Sequence, residues 1–591
     1  MQPQPFAGVR VEYDVPAAMR DGTMLRANVY RPDDGGAGAY PVLLTRLPYG
    51  KDLPGASLVL DPAQAARRGY VVVIQDVRGA FTSEGEWMPL LHEGPDGADT
   101  VAWAAALPQA NGAVGMYGAS YFGYTQWAAA HQRPDALQAM APMFTWADAD
   151  EPGAGNVTRY GVHELGLQAG WLLDWGLDPL ARRYRGQPEA LGRVVHALAR
   201  EIDALPKGGY AELPLDPFGP LARVGLDAPM RISLRQRADE AMAAMTRIAN
   251  AYALDVPVLH IGGWYDVFLA GTIANFTRMR AAGNMRQWLV IGPWTHGNVQ
   301  RAQGDLDFGF ASAGALMDLR IDLMSLQLQF FDMALKGTQN LFATLPPVKY
   351  FEMGANVWKT STTWPPAGAT AQAWYAHSQG RANGAGGDGL LSAERPVDEP
   401  ADEYTYDPAQ PVPTVGGPTL LPSVLRSGPR DQRTVEARED MLVYTSAPLE
   451  RALEVTGPVR AVLYVRSDAP DTDFVARLVD VYPDGTAIPV ADGIARMRYR
   501  EGVEREAPPL QSGNVYRVEI DLWATSIAVL PGHRLRLDVT SSSFPRWERN
   551  LNTGGDNYAT TAMRPARQTI LHDAEHPSHV ILPVMEGTSE N

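Results

Sequence analysis

The sequence predicts an α/β domain with a mostly parallel sheet and helices on both faces of that sheet. A helical insertion interrupts this domain, and an all-β domain follows it. Near-continuous apolar runs, typical of strands covered on both faces, occur before residue 145 and return after residue 255. The segment between them is helix-prone, and short alternating strands recur beyond Leu345. The 591-residue chain is long enough for about three domains.

The composition narrows the classes of function. The net charge is −16, from 51 basic and 67 acidic side chains, which argues against a nucleic-acid or anionic-membrane surface. The chain has no cysteine, so disulfides, thiolate catalysis and Cys-ligated metals are excluded. The first residues lack the basic and apolar regions of a signal peptide, and no run approaches a transmembrane span. We therefore expect a cytoplasmic protein without a membrane or nucleic-acid partner.

The first part of the α/β domain is predicted to span residues 1–144. It opens with an antiparallel hairpin, because two alternating runs flank the turn residues Arg20 to Thr23. Helices are predicted around residues 61–68 and 96–106. The predicted strands are Val9 to Val15, Met24 to Tyr30, Tyr40 to Arg46, Tyr70 to Asp76, Ala113 to Tyr117 and Leu137 to Pro142.

A helical cap is predicted over residues 145–250, where Gly161 to Leu173, Pro188 to Leu205 and Ala238 to Ala251 have helical periodicity. The second part of the α/β domain follows at residues 251–345, with strands at Val256 to Gly262 and Gln287 to Gly292. An insertion between two sheet strands is well placed to cover the mouth of a site. The alternative is a separate helical domain without catalytic relevance.

Residues 346–591 are predicted to form a β-sandwich, because short alternating strands recur between turns. These strands are Val348 to Phe351, Ala371 to Tyr375, Met441 to Thr445, Val459 to Val465, Asp473 to Val481, Tyr516 to Leu522 and Arg534 to Val539. Gly380 to Gly389 and Val397 to Pro418 are predicted to be long exposed loops. Taken alone, such a sandwich suggests carbohydrate binding.

Ser120 is the candidate nucleophile. An apolar strand before it and a helical stretch after it place it on a strand-to-helix turn, the geometry that projects a hydroxyl above a sheet edge. Gly118 precedes it by two residues, but Phe122 follows where the usual G-x-S-x-G pattern has a glycine, which comes one residue later at Gly123. By itself this turn is equally compatible with a structural role.

Asp266 and His296 complete a candidate triad. Each follows a predicted strand, at the edge where open α/β sheets carry their sites, and the order Ser120, Asp266, His296 is that of α/β hydrolases. A serine hydroxyl needs an imidazole to take its proton, and a buried carboxylate orients that imidazole and stabilises its cation. His260 competes for the role of base, but it lies inside an apolar strand and is predicted to be a core histidine.

Acyl transfer also needs hydrogen-bond donors aimed at the oxyanion. The position of the turn makes the Tyr121 backbone N–H one donor. The loop from Leu47 to Lys51 holds no HGGG-type run, so a side chain must supply the second, and the Tyr49 phenol is of the right kind. The alternative is that Tyr49 only packs on the sheet. We predict no metal and no cofactor for this chemistry.

Motifs along most of the chain resemble one family of serine hydrolases. They are Pro48-Tyr49-Gly50-Lys51, Asp76-Val77-Arg78-Gly79 followed by Ser83-Glu84-Gly85 and Trp87, Gly118-Ala119-Ser120-Tyr121-Phe122-Gly123, Gly263-Trp264-Tyr265-Asp266, Gly292-Pro293-Trp294-Thr295-His296, Phe544-Pro545 and Arg549-Asn550-Leu551-Asn552-Thr553-Gly554. On these motifs the chain resembles the cocaine esterase and X-Pro dipeptidyl peptidase family, which also contains the α-amino acid ester hydrolases and glutaryl acylases.

The resemblance implies a role for each candidate residue. Ser120 would be the nucleophile, His296 the base and Asp266 its orienting carboxylate, while Tyr49 and the Tyr121 amide would form the oxyanion hole. The family pattern has its glycine three residues after the serine, as here. The resemblance also implies an α/β-hydrolase fold and a jelly-roll domain that helps to wall the site.

The residues after the aspartate bear on the substrate. They are Val267, Phe268 and Leu269, whereas the α-amino acid ester hydrolases carry carboxylates there that hold an ammonium group. We therefore expect a carboxylic ester hydrolase that favours uncharged or aromatic acyl groups. The side chains expected to contact the acyl group are Phe268 and either Trp171 or Trp175 of the cap. An ammonium site would instead need the acidic residues at the start of the cap, Asp148, Asp150 and Glu151.

Other functions remain open at this point. Within the family, the alternatives are α-amino acid ester hydrolase, glutaryl acylase and X-Pro dipeptidyl peptidase activity. In a different class, the chain would be a catalytically silent binding protein on a hydrolase scaffold. The predicted partner is a small-molecule ester, and the sequence leaves a homodimer or a higher homo-oligomer open.

Overall fold

The computed structural model describes residues 8–36, 38–148, 151–235, 246–421 and 427–586. Ten strands of this part form the first sheet. They are β1 (Val9–Ala18), β2 (Met24–Pro32), β3 (Tyr40–Leu47), β4 (Val71–Asp76), β5 (Ala110–Ala119), β6 (Leu137–Met143), β9 (Val258–Tyr265), β10 (Gln287–Thr295), β13 (Val348–Glu352) and β14 (Val357–Ser361). Four shorter strands form two separate hairpins: β7 (Thr158–Arg159) pairs with β8 (Val162–His163), and β11 (Ala302–Gln303) pairs with β12 (Leu306–Asp307).

The first sheet is parallel at its centre and antiparallel at both ends. Its strand order is β1-β2-β4-β3-β5-β6-β9-β10-β13-β14. The pairs from β4 to β13 are parallel, whereas β1 with β2, β2 with β4, and β13 with β14 are antiparallel. The predicted opening hairpin and the predicted parallel strands are therefore confirmed, and apolar runs such as Val71 to Ile74 are fully buried because helices cover both faces.

Helices cover the sheet and form the insertion. Those of the described residues are α1 (Pro62–Arg67), α2 (Glu93–Ala105), α3 (Tyr121–His131), α4 (Leu165–Asp174), α5 (Leu177–Arg183), α6 (Pro188–Ala204), α7 (Gly219–Ala222), α8 (Ala228–Arg235), Leu269–Ala281, Leu323–Lys336 and Arg433–Glu436. In the part of the chain that the structure describes, no helix is both long and apolar enough to cross a membrane.

The helical insertion lies between two neighbouring strands, since Met140 of β6 is the register partner of Val258 of β9. Helices α4 to α8 surround a hydrophobic cluster of their own, which includes Leu172, Leu198 and Phe218. The helices predicted at Gly161 to Leu173 and Pro188 to Leu205 are present with shifted ends. Most of the helix predicted at Ala238 to Ala251 lies outside the described residues.

One strand predicted for the sandwich belongs to the first sheet. Val348 to Phe351 was expected to begin the all-β domain at residue 346, but Leu289 of β10 pairs in parallel with Val348 of β13. The strand then turns into β14, so the first sheet extends to Ser361. The alternating pattern of so short a run does not reveal which sheet the strand joins, because both sheets bury one of its faces.

The second domain is all-β, as predicted. Its eleven-stranded sheet contains β15 (Ala369–His377), β16 (Leu390–Ser392), β17 (Asp402–Tyr406), β18 (Leu442–Thr445), β19 (Leu453–Ser467), β20 (Asp473–Val481), β21 (Ala487–Arg496), β22 (Tyr516–Val529), β23 (Arg534–Thr540), β24 (Ala566–Leu571) and β25 (His579–Met585). The sheet forks at β19, which pairs with β22 along one edge and with β25 and β24 along the other. Side chains from strands throughout the sheet fill one hydrophobic core.

The prediction that Val397 to Pro418 is an exposed loop is wrong in part. This segment contains β17, which pairs with β24, and Val412 beyond it is fully buried. Proline and acidic residues suggested exposure, but the acidic Asp402 is itself buried because His572, Ser378 and a backbone amide satisfy its carboxylate.

The segment that carries the last two family motifs, from Phe544 to Gly554, joins the second domain to the cap. The Pro545 carbonyl accepts a hydrogen bond from the Gly166 amide at the start of α4 (2.8 Å). The Trp547 indole donates to Glu164 (3.1 Å), and the Arg549 guanidinium donates to the Ala211 carbonyl (2.7 Å). The second domain therefore holds the cap over the edge of the first sheet.

Candidate active site

Strand register brings the candidate triad to one edge of the first sheet. Ser120 directly follows β5, Asp266 follows β9 and His296 follows β10. The residues before Asp266 and His296, Tyr265 and Thr295, are register partners in the parallel pair of strands. Because parallel strands end at the same edge, the aspartate and the histidine leave the sheet side by side.

The Ser120 turn is strained and is held by its neighbours. Ser120 has φ 57° and ψ −124°, a conformation that non-glycine residues rarely adopt. Its N–H donates to the Met143 carbonyl at the end of β6 (2.9 Å), and its carbonyl accepts from the Thr145 hydroxyl (3.1 Å). Backbone strain of this kind persists where the surroundings determine the conformation, and it is frequent at functional sites.

Close packing explains why the glycines of the turn stand at positions 118 and 123. A Cβ on Gly118 would lie 2.4 Å from the Phe122 ring, and a Cβ on Gly123 would lie 2.8 Å from the Thr145 side chain. Phe122 itself turns away from the edge and packs with Leu47 and Ile74. The helix therefore needs its glycine three residues after the serine, where it passes closest to the chain leaving β6.

His296 and Asp266 form a short hydrogen bond. The His296 Nδ1 lies 2.7 Å from Asp266 Oδ1, and the aspartate side chain is fully buried. The other oxygen, Oδ2, has no hydrogen-bond partner among the described residues. The buried carboxylate favours the tautomer with its proton on Nδ1, which leaves Nε2 free to accept a proton.

His260 lies away from this edge, as predicted for a core histidine. It stands in the middle of β9, where its Nε2 donates to Gln287 Oε1 (2.8 Å), and only 1% of its surface is exposed. Burial lowers its pKa to about 4, so the ring is neutral at neutral pH.

A buried carboxylate holds the loop that carries Tyr49. This loop follows β3, and the Lys51 amide donates to Asp76 Oδ1 (2.7 Å), while the Thr82 hydroxyl donates to Asp76 Oδ2 (3.0 Å). Burial raises the pKa of Asp76 to about 6. The aspartate of the Asp76-Val77-Arg78-Gly79 motif thus joins the ends of two neighbouring strands and positions Tyr49.

The Tyr49 phenol has two polar neighbours. It accepts a hydrogen bond from the Trp171 indole N–H of α4 (3.1 Å), and the Ser120 side chain lies close enough to lower the pKa of the phenol. Burial raises the pKa of the phenol to about 12, so it remains protonated at neutral pH. Tyr49 is therefore a neutral hydrogen-bond donor beside the candidate nucleophile.

Ser120 and Tyr49 line a cavity between the first sheet and the cap. It encloses about 770 Å³, counting the part open to solvent. None of the described residues that line it carries a charge. Those residues are Tyr49, Met88, Pro89, Leu90, Leu91, Ser120, Tyr121, Trp146, Asn156, Val157, Leu167, Gln168, Trp171, Leu172, Pro229, Ile232, Ser233, Thr246, Phe268 and Leu420.

Two of the three aromatic side chains predicted to contact the acyl group, Trp171 and Phe268, lie in this cavity. Tyr121, Trp171 and Phe268 line it, and the Phe268 ring lies 5.3 Å from the His296 ring. Trp175 does not line it: the residue follows the end of α4, is 39% exposed, and packs its ring 4.4 Å from that of Tyr49. Trp175 thus contacts the wall of the site from outside.

Sequence reasoning missed a buried anchor of Tyr121. The Tyr121 hydroxyl donates to Glu93 Oε1 (2.7 Å) and accepts from the Leu90 amide (2.9 Å). The second Glu93 oxygen pairs with Arg46 (2.9 Å). Burial raises the pKa of Glu93, and the Arg46 charge opposes that shift. Nothing in the local pattern marks Glu93, because its partners come from distant segments. Leu420 of the second domain was missed for the same reason.

The acidic residues at the start of the cap are engaged elsewhere. Asp148 accepts a hydrogen bond from the Ile248 amide (2.6 Å), and Glu151 forms an ion pair with Arg278. Neither residue lines the cavity. Asp150 lies outside the described residues.

The fold and the chemistry at the sheet edge define the class: a serine hydrolase of the α/β-hydrolase fold. Residues 21–298 match the family described as X-Pro dipeptidyl-peptidase (S15 family), and residues 340–581 match the X-Pro dipeptidyl-peptidase C-terminal non-catalytic domain. Cocaine esterase of Rhodococcus sp. (strain MB1 Bresler) is 37% identical over 582 residues, which cover 98% of this chain and 99% of that protein. The chain therefore belongs to the cocaine esterase family of serine esterases.

Solved structures agree with this assignment. An α-amino acid ester hydrolase has a TM-score of 0.77 at 25% identity, covering 98% of this chain and 96% of that one. An aminopeptidase from a marine sediment archaeon, Thaumarchaeota archaeon, has a TM-score of 0.76 at 25% identity, covering 99% and 98%. The predicted fold class and the predicted enzyme class, a serine carboxylic ester hydrolase, are confirmed.

Proposed function

We propose that the enzyme hydrolyses esters with uncharged, apolar or aromatic acyl groups through an acyl-Ser120 intermediate. The observation that carries this proposal is the cavity beside Ser120, which is lined by aromatic and aliphatic side chains and by no charged side chain among the described residues. Small-molecule sites of this composition bind apolar groups and orient them with few polar contacts.

Acylation would begin when Ser120 Oγ attacks the ester carbonyl and His296 Nε2 takes the hydroxyl proton. Asp266, 2.7 Å from Nδ1, would hold the ring in the required tautomer and stabilise the imidazolium. The carbonyl oxygen becomes an oxyanion, which the Tyr49 hydroxyl and the Tyr121 amide would stabilise. Such donors act most strongly in a site from which water is excluded.

The tetrahedral intermediate collapses when the C–O bond to the alcohol breaks and His296 gives its proton to the departing oxygen. Water then enters, His296 takes one of its protons, and the resulting hydroxide attacks the acyl-Ser120 ester. The second collapse returns the proton to Ser120 Oγ and releases the carboxylic acid. Each step uses the same two oxyanion donors.

The acyl group would lie against Phe268, Trp171 and Tyr121. An ammonium group here would lose its hydration without gaining a negative partner, which costs several kcal/mol, roughly two or more decades in kcat/KM. Asp148 and Glu151, the acidic residues at the start of the cap, already have partners. This argument favours an ester hydrolase over the amino acid ester hydrolase and aminopeptidase activities named for the two solved relatives.

The test compares kcat/KM for three series of substrates: p-nitrophenyl esters of benzoate and short fatty acids, methyl esters of phenylglycine with and without its α-amino group, and X-Pro anilides. We expect the uncharged ester of the phenylglycine pair to be cleaved more efficiently by at least about a hundredfold. Ser120→Ala serves as the blank for any hydrolysis that does not use the serine. A preference for the amino ester or the anilides would overturn the proposed specificity.

A further inference from the structure

The cap contributes a hydrogen bond to the proposed oxyanion hole. Trp171 lies on α4, and its indole N–H donates to the phenol oxygen of Tyr49 at 3.1 Å. Trp175, one turn further along the chain, also packs against the Tyr49 ring, at 4.4 Å between ring centroids, but its contact is between rings alone. The two indoles therefore touch the same tyrosine in chemically different ways.

The hydrogen bond decides where the Tyr49 proton points. An indole N–H can only donate, so the phenol oxygen is the acceptor in this contact. The phenol has one proton, and with the indole on one side of its oxygen that proton points away from the indole, which leaves it available to the proposed oxyanion at Ser120. Accepting a hydrogen bond also polarises the O–H group, which makes it a stronger donor.

Packing holds the Trp171 indole in this orientation. Its ring stacks on Tyr121 with an interplanar angle of 14° at 6.1 Å, and the Trp87 ring lies 5.6 Å away. Tyr121 is itself anchored, because its hydroxyl binds Glu93 and the Leu90 amide. The donor is therefore preorganised by side chains from α3 and from the loop before α2.

We propose that Trp171 is a positioning residue for catalysis: its indole N–H orients and polarises the Tyr49 hydroxyl, so that the cap takes part in oxyanion stabilisation. This inference rests on the proposed role of Tyr49 as an oxyanion donor. It assigns to Trp171 a polar function that is separate from its contact with the acyl group. Oxyanion stabilisation would then depend on the position of the cap helix that carries Trp171.

Four proteins test the inference: the wild type, Trp171→Phe, Tyr49→Phe and the double variant. Phenylalanine retains an aromatic ring against Tyr121 but lacks the donor. With p-nitrophenyl butyrate we expect Trp171→Phe to lower kcat about fivefold to tenfold with KM nearly unchanged, which is the effect of one neutral hydrogen bond. Tyr49→Phe should lower kcat by about two to three decades. In the Tyr49→Phe background, Trp171→Phe should lower kcat no further.

The matched control is Trp175→Phe, which changes the other indole on Tyr49 and should leave kcat within about twofold of the wild type. A short acyl group is used so that lost packing against Trp171 affects KM little. If Tyr49→Phe lowers kcat but Trp171→Phe has no effect, or has the same effect with and without the Tyr49 hydroxyl, Trp171 only packs and the inference is wrong. If Tyr49→Phe itself has no effect on kcat, the proposed oxyanion role fails, independently of Trp171.

Discussion

A carboxylate placed at residue 268 should turn the apolar acyl pocket into a site for ammonium groups. Phe268 lies two residues after Asp266, just beyond the end of β9; it is 3% exposed and lines the cavity beside Ser120. Glutamate has about the reach of the phenylalanine ring. Phe268→Glu would therefore bring one negative charge to a pocket that has none among the described residues.

The expected gain in ammonium binding is the Coulomb attraction between the two charges minus the free-energy cost of removing water from the ammonium group. Two opposite charges about 4 Å apart attract by about 4 kcal/mol at an effective dielectric constant of about 20. Loss of hydration by the ammonium offsets part of this gain, so we expect a net effect of about 2 kcal/mol, or about thirtyfold. The quantity that changes is the ratio of kcat/KM for phenylglycine methyl ester to that for its analogue without the amino group.

Phe268→Gln is the matched control, because it has the same shape without the charge. The assay is run at about pH 6, well below the usual pKa of an α-amino group, so that the amino group is protonated. Equal ratios for the Glu and Gln variants would show that residue 268 does not face the acyl group, and would refute the reasoning.

Three further predictions concern the triad and the core. Ser120→Ala should lower kcat by about six decades and abolish stoichiometric labelling by a p-nitrophenyl phosphonate, and label found by mass spectrometry on another residue would exclude Ser120 as nucleophile. Asp266→Asn should lower kcat by about four decades through the wrong His296 tautomer, whereas near-normal steady-state rates would mean that another group orients the ring. Burial lowers the pKa of His260 to about 4, whereas in the unfolded chain it is about 6.5. The free energy of unfolding should therefore fall as the pH drops from about 6.5 towards about 4, because the unfolded chain takes up a proton that the folded protein does not. In urea unfolding, the wild type should lose roughly 2 kcal/mol more than His260→Leu between pH 7 and pH 5, and parallel pH profiles would contradict the shift.

Much of the first domain could be predicted because its strands are covered on both faces. The runs from Tyr40 and Tyr70 are near-continuously apolar, which is typical of a parallel strand covered on both faces. Val348 to Phe351 was assigned to the wrong sheet, since the same pattern suits either one. The proximity of Asp266 and His296 also follows from the sequence, because each comes after a strand and parallel strands end together. Their catalytic roles, the oligomeric state and the cytoplasmic location stay predictions.

The sequence by itself determined the fold class, the order of the candidate triad and the apolar character of the residues after Asp266, because local patterns of burial and residue type carry that information. Only the tertiary structure decided which side chains surround Ser120. Glu93 anchors Tyr121, Trp171 donates to Tyr49, and Leu420 enters from the second domain. These contacts join segments that are far apart in the chain, and the partners of a side chain are set by how whole domains pack rather than by its neighbours in sequence.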